Sequence, residues 1–137
     1  MGNVQLKTLP IWELQFTKAP DGFVGVATAK VKWDEDHQKK LGVETNPAVD
    51  LPAATVKEIH NLSKRVYRAL GLTGYARMDL RLGANGEPYV LEANPNPNLS
   101  YGEDFAESAD VAGIDYQSLL QRIINLGLRY RAPWRGL

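Results

Sequence analysis

The chain has 137 residues, 44% of them hydrophobic, and its 16 lysines and arginines balance 16 aspartates and glutamates. This length suffices for one domain with a real core, and a formal charge of zero excludes a globally basic nucleic-acid binder. Cysteine is absent, which excludes disulfides and thiolate metal sites. No apolar run approaches the roughly 20 residues of a membrane span, and the N-terminus lacks a signal-peptide layout. We therefore expect a cytoplasmic chain with neither nucleic acid nor membrane as a partner.

The first part of the chain, residues 4–33, predicts strands. Residues 11–16 alternate imperfectly between apolar and polar side chains, and residues 20–22 supply turn chemistry. Residues 23–33 form a second extended run that is rich in small and β-branched residues. Lys32 stands near the end of that run, where its ammonium group is placed to meet an anion.

Four later segments carry helical spacing or helix end signals: residues 34–41, 52–70, 103–111 and 115–128. Asp34 suits the N-cap of the first segment and Gly42 its end, whereas residues 43–50, which contain Asn46-Pro47, are predicted to be a loop. The order is strands, helix, hairpin, loop and helices. This order predicts an α+β fold with a mostly antiparallel sheet and packed helices.

Residues 75–94 predict two strands joined at Asn85-Gly86, a strong hairpin signal. If those two residues form a type I′ turn, Asp79 faces Glu92, Arg77 faces Asn94 and Arg81 faces Val90. One face of the hairpin then carries Arg77, Asp79, Arg81, Glu92 and Asn94. The other face carries Ala76, Met78, Leu80, Tyr89, Leu91 and Ala93, and we expect it to face the core.

The opposed carboxylates of Asp79 and Glu92 repel each other and need compensation. In one interpretation the neighbouring arginines neutralise them, as in a solvated salt-bridge ladder. In another, Asp79, Glu92 and the Asn94 carbonyl oxygen bind a hard divalent cation such as Mg²⁺, which prefers oxygen ligands. A glycosidase pair is a distant third, because those enzymes need roughly 5–9 Å between the acid and its partner. The hairpin alone leaves these interpretations open.

The run Ala-Arg-Met-Asp at residues 76–79, followed by Glu-Pro-Tyr-Val-Leu-Glu-Ala-Asn-Pro-Asn-Pro at residues 87–97, resembles the ATP-grasp superfamily. More closely, the chain resembles the carboxylate–amine ligases related to D-alanine–D-alanine ligase, and this resemblance extends over nearly its whole length. It implies that residues 1–137 are the C-terminal part of an ATP-grasp domain, without the N-terminal substrate domain and the first lobe. That lobe would be a covalent or separate partner, and the sequence also leaves a homodimer open.

The resemblance implies a site for ATP and for one or two Mg²⁺ ions, with Mn²⁺ as a substitute. The implied metal ligands are Asp79, Glu92 and Asn94. Lys32 would approach the nucleotide phosphates, and Arg77 would stabilise the acyl phosphate and the tetrahedral state. Asn98 stands where a glycine usually gives a backbone donor to the reaction centre. The implied reaction phosphorylates a small carboxylate substrate, after which an amine attacks the acyl carbon and phosphate leaves.

Two departures from the family pattern limit what the resemblance implies. Glu103 falls near the serine that contacts the carboxylate of the second substrate, and an acid there would repel that group. The identity of the joined carboxylate and amine therefore stays open. Because half of the ATP clamp lies outside residues 1–137, we expect no turnover by them alone. The alternative is a non-catalytic α+β binding or interaction module that retains the fold.

Overall fold

The computed structural model of the chain describes residues 1–25, 31 and 34–132. The described part is α+β, as predicted, with two antiparallel two-stranded sheets and helices packed against them. It divides into two compact units, one formed by residues 11–48 and the other by residues 1–10 together with residues 49–137. Each unit has its own sheet.

The smaller unit pairs β1 (Trp12–Phe16) with β2 (Val43–Pro47) in an antiparallel ladder. Between them in sequence, α1 (Glu35–Leu41) begins after Asp34, whose Oδ1 accepts a hydrogen bond from the His37 N–H at 3.0 Å. The strand over residues 11–16 and the capped helix are thus confirmed.

The prediction of a loop over residues 43–50 is wrong, because most of that segment is β2. Pro47 lies at the end of β2 opposite Trp12, and its missing N–H interrupts no ladder among the described residues. Of the predicted extended run over residues 23–33, residues 23–25 are not a strand. Most of the remainder, including Lys32, lies outside the described residues.

The larger unit contains α2 (Ala53–Ala69), α3 (Asp104–Val111) and α4 (Tyr116–Leu128), all three close to their predicted limits. Asp115 caps α4, since one carboxylate oxygen accepts from the Ser118 N–H at 2.9 Å and the other from the Ser118 hydroxyl at 2.7 Å. The buried cluster of this unit is centred on α3 and α4: Phe105, Ala106, Ala109, Ile114 and Leu119. Its core is therefore largely helical.

The first residues of the chain are held in the larger unit by main-chain and side-chain hydrogen bonds. The Gly2 N–H donates to the Gly74 carbonyl at 2.7 Å, and the Asn3 side-chain amide donates to the Leu126 carbonyl at 2.9 Å. The buried Tyr67 hydroxyl of α2 donates to the Gly2 carbonyl at 3.0 Å. Burial raises the pKa of Tyr67 to about 12, which keeps that hydroxyl protonated as a donor.

Candidate functional site

The candidate site is the hairpin of β3 (Arg77–Leu82) and β4 (Pro88–Asn94), an antiparallel pair in the larger unit. Its loop differs from the predicted two-residue turn. The Gly83 N–H donates to the Glu87 carbonyl, and the Gly86 N–H donates to the Gly83 carbonyl, both at 2.9 Å. These bonds enclose a three-residue loop over residues 84–86, with Gly86 in the left-handed region at φ 80°. The type I′ prediction is wrong, and the turn is of the kind in which a left-handed glycine closes a three-residue loop.

A β-bulge restores the predicted pairing further along the hairpin. Near the loop, Leu80 faces Val90 and Arg81 faces Tyr89, one position away from the predicted register. The ladder then shifts between Asp79 and Leu80, because Leu91 has no partner of its own. Beyond the shift, Asp79 faces Glu92 and Arg77 faces Asn94, as predicted. The extra loop residue and the extra strand residue compensate each other.

The bulge also changes the predicted faces of β4. Tyr89 is opposite Arg81 and so lies on the charged face, while Val90 is opposite Leu80 and takes the apolar face. Tyr89 is 54% exposed and Leu91 is 68% exposed. The prediction that Tyr89 and Leu91 face the core is therefore wrong. It failed because period-two alternation was assumed to run without interruption through the bulge.

Arg77 and Asp79 form a two-point ion pair on β3. The Arg77 Nε–H donates to Asp79 Oδ1 at 2.7 Å, and its Nη2–H donates to Oδ2 at 3.0 Å. The hydrogen bond to Asp79 raises the pKa of the Arg77 guanidinium, partial burial opposes that rise, and the charges of Asp79, Asp104 and Glu92 add to it. Arginine compensation of Asp79, one of the three interpretations of this carboxylate pair, is therefore present in the structure.

The side-chain amides of Asn94 and Asn98 accept hydrogen bonds from main-chain N–H groups just beyond β4. Asn94 Oδ1 accepts from the Asn96 N–H at 2.9 Å, and Asn98 Oδ1 accepts from the Ser100 N–H at 3.0 Å. The Tyr75 hydroxyl donates to Asn96 Oδ1 at 3.2 Å. An amide oxygen has two lone pairs, so the bond to Asn96 leaves Asn94 one acceptor position for a cation.

Asp104 is a charged neighbour of the site that the sequence reasoning did not include. It is the first residue of α3, and its charge acts on Arg77 together with the charges of Asp79 and Glu92. An acidic residue in the first turn of a helix is a common stabiliser of the helix dipole. Because this local role already accounts for an aspartate at the start of a helix, nothing in the sequence indicated that Asp104 lies near the hairpin.

The oxygen donors of the charged face fit a hard cation. The side-chain carboxylate of Glu92 accepts no hydrogen bond from the residues that the structure describes, which leaves its oxygens for other ligands. Within residues 1–25, 31 and 34–132, no three His, Cys, Asp or Glu side chains converge on a common metal position. Two carboxylates and an amide are a sparse set, and Mg²⁺ is typically bound by one or two carboxylates with water and substrate phosphates as the other ligands. The donor set therefore suits a divalent cation whose remaining ligands are water or a bound anion.

Two cavities along the described part of the chain lie elsewhere. One, of about 460 Å³, runs along α2 beside Pro88. The other, of about 260 Å³, lies between the N-terminal residues and α4. Neither is lined by Arg77, Asp79, Glu92 or Asn94. No helix among the described residues is both long and apolar enough to cross a bilayer.

Comparison with known proteins defines the class to which this fold belongs. Residues 20–125 match a family model described as D-ala D-ala ligase C-terminus. A crystal structure of D-alanine–D-alanine ligase from Bacillus anthracis complexed with ATP superposes with a TM-score of 0.66 at 29% identity. The superposition covers 88% of this chain and 34% of that one. The α+β fold is the C-terminal part of an ATP-grasp fold.

Among curated proteins, D-alanine–D-alanine ligase from Limosilactobacillus reuteri is 36% identical over 98 residues, covering 69% of this chain and 26% of the relative. The enzyme of the same name from Desulfotalea psychrophila is 30% identical over 136 residues, which is 99% of this chain and 39% of the relative. The chain belongs to the D-alanine–D-alanine ligase C-terminus family. It spans only about a quarter to two-fifths of the length of these relatives.

Proposed function

We propose that this chain supplies the Mg²⁺–ATP phosphate site of an ATP-dependent carboxylate–amine ligase. One observation carries the proposal. In a chain of the D-alanine–D-alanine ligase C-terminus family, the hairpin register sets Asp79 opposite Glu92, with Asn94 two residues further along β4. Opposed carboxylates are unfavourable without a cation, and oxygen donors are the ligands that Mg²⁺ prefers.

In this proposal Asp79, Glu92 and Asn94 hold one or two divalent ions. When bound, the ions neutralise charge on the phosphates of ATP during phosphoryl transfer. Arg77 is the cationic side chain of the same face, and its guanidinium donates hydrogen bonds to negative charge that develops as the acyl phosphate forms and breaks. Lys32 contacts the phosphates, and Asn98 lies at the reaction centre on the loop that follows β4. The protein supplies positioning and charge, and no nucleophilic side chain is required.

The substrates are a small carboxylate and an amine, and the rest of the ligase, covalent or separate, completes the ATP clamp. ATP is proposed because a related structure is described as complexed with ATP. The alternative, a non-catalytic module that retains the fold, predicts no preference for Mg²⁺ and nucleotide together. The two functions therefore differ in a binding measurement that needs no turnover.

The test is the thermal unfolding of the whole chain with and without Mg²⁺ and a non-hydrolysable ATP analogue. Selective binding to the folded state raises the melting temperature, by about 5 °C at ten times the dissociation constant for a chain of this size. We expect Asp79→Asn and Glu92→Gln to abolish most of this shift. Each variant is compared with its own ligand-free melt, so any loss of intrinsic stability does not affect the result.

Glu87→Gln is the matched control, because Glu87 lies at the loop end of the same hairpin, opposite Gly83 and separated along the strands from the facing pair Asp79 and Glu92. It should keep the ligand-induced shift of the unsubstituted chain. Absence of a shift in the unsubstituted chain at millimolar ligand would favour the binding module. A shift that survives the combined Asp79→Asn and Glu92→Gln substitutions would locate nucleotide binding away from this hairpin.

A further inference from the structure

The ion pair of Arg77 and Asp79 engages both oxygens of one proposed metal ligand. The distances are 2.7 Å from Nε to Oδ1 and 3.0 Å from Nη2 to Oδ2. Two parallel N–H bonds from one planar guanidinium are among the strongest hydrogen-bonded arrangements in proteins. The partners are two residues apart on the same face of β3, so the strand itself keeps them close.

This geometry sets a competition at Asp79. A carboxylate has about four acceptor positions, so two hydrogen bonds do not fill it. The positive charge of the guanidinium nevertheless lies where it repels a divalent ion bound to the same oxygens. The side chains of Arg77 and Asp79 are 35% and 31% exposed, so solvent screens that repulsion only in part. The cation and Arg77 therefore oppose each other at one carboxylate.

Other charges of the site hold Arg77 where it is. Glu92 lies opposite Asp79 in the register, and Asp104 at the start of α3 adds a further negative charge. Both carboxylates are near enough for their charges to act on the Arg77 guanidinium. A chain without metal thus has a net attraction for a cation at this face, and Arg77 satisfies part of it.

We propose that Arg77 is the resident counter-ion of Asp79 in the metal-free chain, and that a divalent cation binds by displacing at least one of its two hydrogen bonds. This inference rests on the proposed function, because it takes Asp79 to be a metal ligand. The displaced guanidinium stays on the charged face, because Arg77 is two residues from Asp79 along β3. There it can donate hydrogen bonds to an anion that is bound together with the cation. Arg77 then exchanges a carboxylate partner for an anionic ligand, and metal entry controls the exchange.

The first experiment measures Mn²⁺ binding to the whole chain by electron paramagnetic resonance and water proton relaxation, without nucleotide. Removing the competing charge in Arg77→Met should tighten Mn²⁺ binding about tenfold, equivalent to about 1.4 kcal/mol. Arg77→Lys keeps a charge but loses the two-point geometry, and should give an intermediate affinity. Arg65→Met, the same change at an exposed position on α2, should leave the affinity within about twofold.

The second experiment uses the unsubstituted chain, so it does not depend on a variant that folds. The Nε–H of Arg77 is followed by nuclear magnetic resonance as Mg²⁺ is added. We expect its signal to shift and its exchange with water to accelerate as the bond to Oδ1 breaks. A signal that stays unchanged while Mg²⁺ binds would overturn the inference, as would an Arg77→Met variant that binds Mn²⁺ no more tightly.

Asp79→Asn separates this inference from the proposed function. If that substitution abolishes Mn²⁺ binding while Arg77→Met fails to tighten it, Asp79 is a ligand and only the counter-ion role of Arg77 is refuted. If Asp79→Asn leaves Mn²⁺ binding unchanged, the metal site itself is refuted and the counter-ion role fails with it.

Discussion

The helices α3 and α4 and the β3–β4 hairpin belong to one unit, yet they are stabilised in different ways. Ala109 and Leu119 are 0% exposed in the helical core. In the hairpin, Tyr89 and Leu91 are 54% and 68% exposed, and within the described residues the sheet has two strands. An isolated two-stranded hairpin is marginal in water, so this one depends on its loop and on α2, which packs against β4. The buried core lies in the helices, whereas the charged groups of the candidate site lie on the hairpin, which is less buried.

The largest expected effect on stability comes from making the same leucine-to-alanine substitution in the helical core and in the hairpin. Leu119→Ala should lower the free energy of unfolding by about 2–5 kcal/mol, because it leaves a cavity in the core. Leu91→Ala removes the same atoms from an exposed position and should cost less than about 0.5 kcal/mol. Urea unfolding followed by circular dichroism measures both. Equal losses would show that the hairpin contributes to the core as much as the helices do.

A smaller effect is expected from the buried hydroxyl that holds the N-terminal residues. Tyr67→Phe leaves the Gly2 carbonyl without that donor and should cost about 1–3 kcal/mol. Its control is Tyr89→Phe in the hairpin, whose hydroxyl donates to Glu87 at 3.2 Å in an exposed position. That variant should stay within about 0.5 kcal/mol of the unsubstituted chain. A Tyr67→Phe variant as stable as its control would show that the N-terminal residues are not held by this bond.

Alanine substitutions at two glycines, one in the hairpin loop and one in α4, should change the free energy of unfolding in opposite directions. Gly86→Ala forces a side chain into the left-handed region at the hairpin loop and should destabilise the chain by about 1 kcal/mol. Gly127 lies inside α4, and a Cβ added there meets nothing within 4 Å. Gly127→Ala should therefore stabilise the chain by about 0.4–1 kcal/mol. Guanidinium unfolding midpoints measure both, and effects of the same sign would contradict the assignment.

The smallest expected effect concerns pH. His60 on α2 is half-buried, its Nε2 has no hydrogen-bond partner in the part of the chain that is described, and burial with the charge of Lys64 lowers its pKa. The unfolded chain therefore binds a proton at His60 before the folded chain does. Stability from neutral His60 is present above the ordinary pKa of about 6.5 and is lost as the pH falls through the lowered value.

His60→Gln tests this contribution, because glutamine does not titrate. Thermal unfolding between pH 7 and pH 5 should show a shallower loss of stability than in the unsubstituted chain. The window lies above the ordinary pKa values of aspartate and glutamate, which limits their contribution to the slope. Identical slopes in the two chains would mean that His60 protonates equally in both states.

The hairpin shows why some features followed from the sequence and others did not. Asn85-Gly86 correctly located the loop, but the number of loop residues depends on main-chain bonds that composition does not specify. The bulge at Leu91 has no local sequence signal either. Because the two errors cancel, the pairing of Asp79 with Glu92 was predicted correctly from a turn type that does not occur.

Elsewhere the sequence succeeded where the signal was local. Asp34 is an N-cap as predicted, and Asp115, the first residue of the predicted helical segment 115–128, is one as well, since each carboxylate bonds to a nearby N–H of its own helix. The strand over Val43–Pro47 was missed because its partner β1 is distant in sequence and Pro47 signals a loop.

The charge of Asp104 beside Arg77 was also missed, since only tertiary packing brings α3 to the hairpin. The metal-ligand roles of Asp79, Glu92 and Asn94 remain proposals to be tested by binding.

The bulge has a consequence for comparing lengths among related sequences. Leu91 has no partner in the ladder, so its deletion would let Leu80 remain opposite Val90 and Asp79 opposite Glu92. Relatives that lack or add one residue here can keep the same facing carboxylates. An alignment forced through β4 without a gap would displace both acidic and amide positions by one residue. In this segment, homologous positions are better assigned from strand partners than from counting residues.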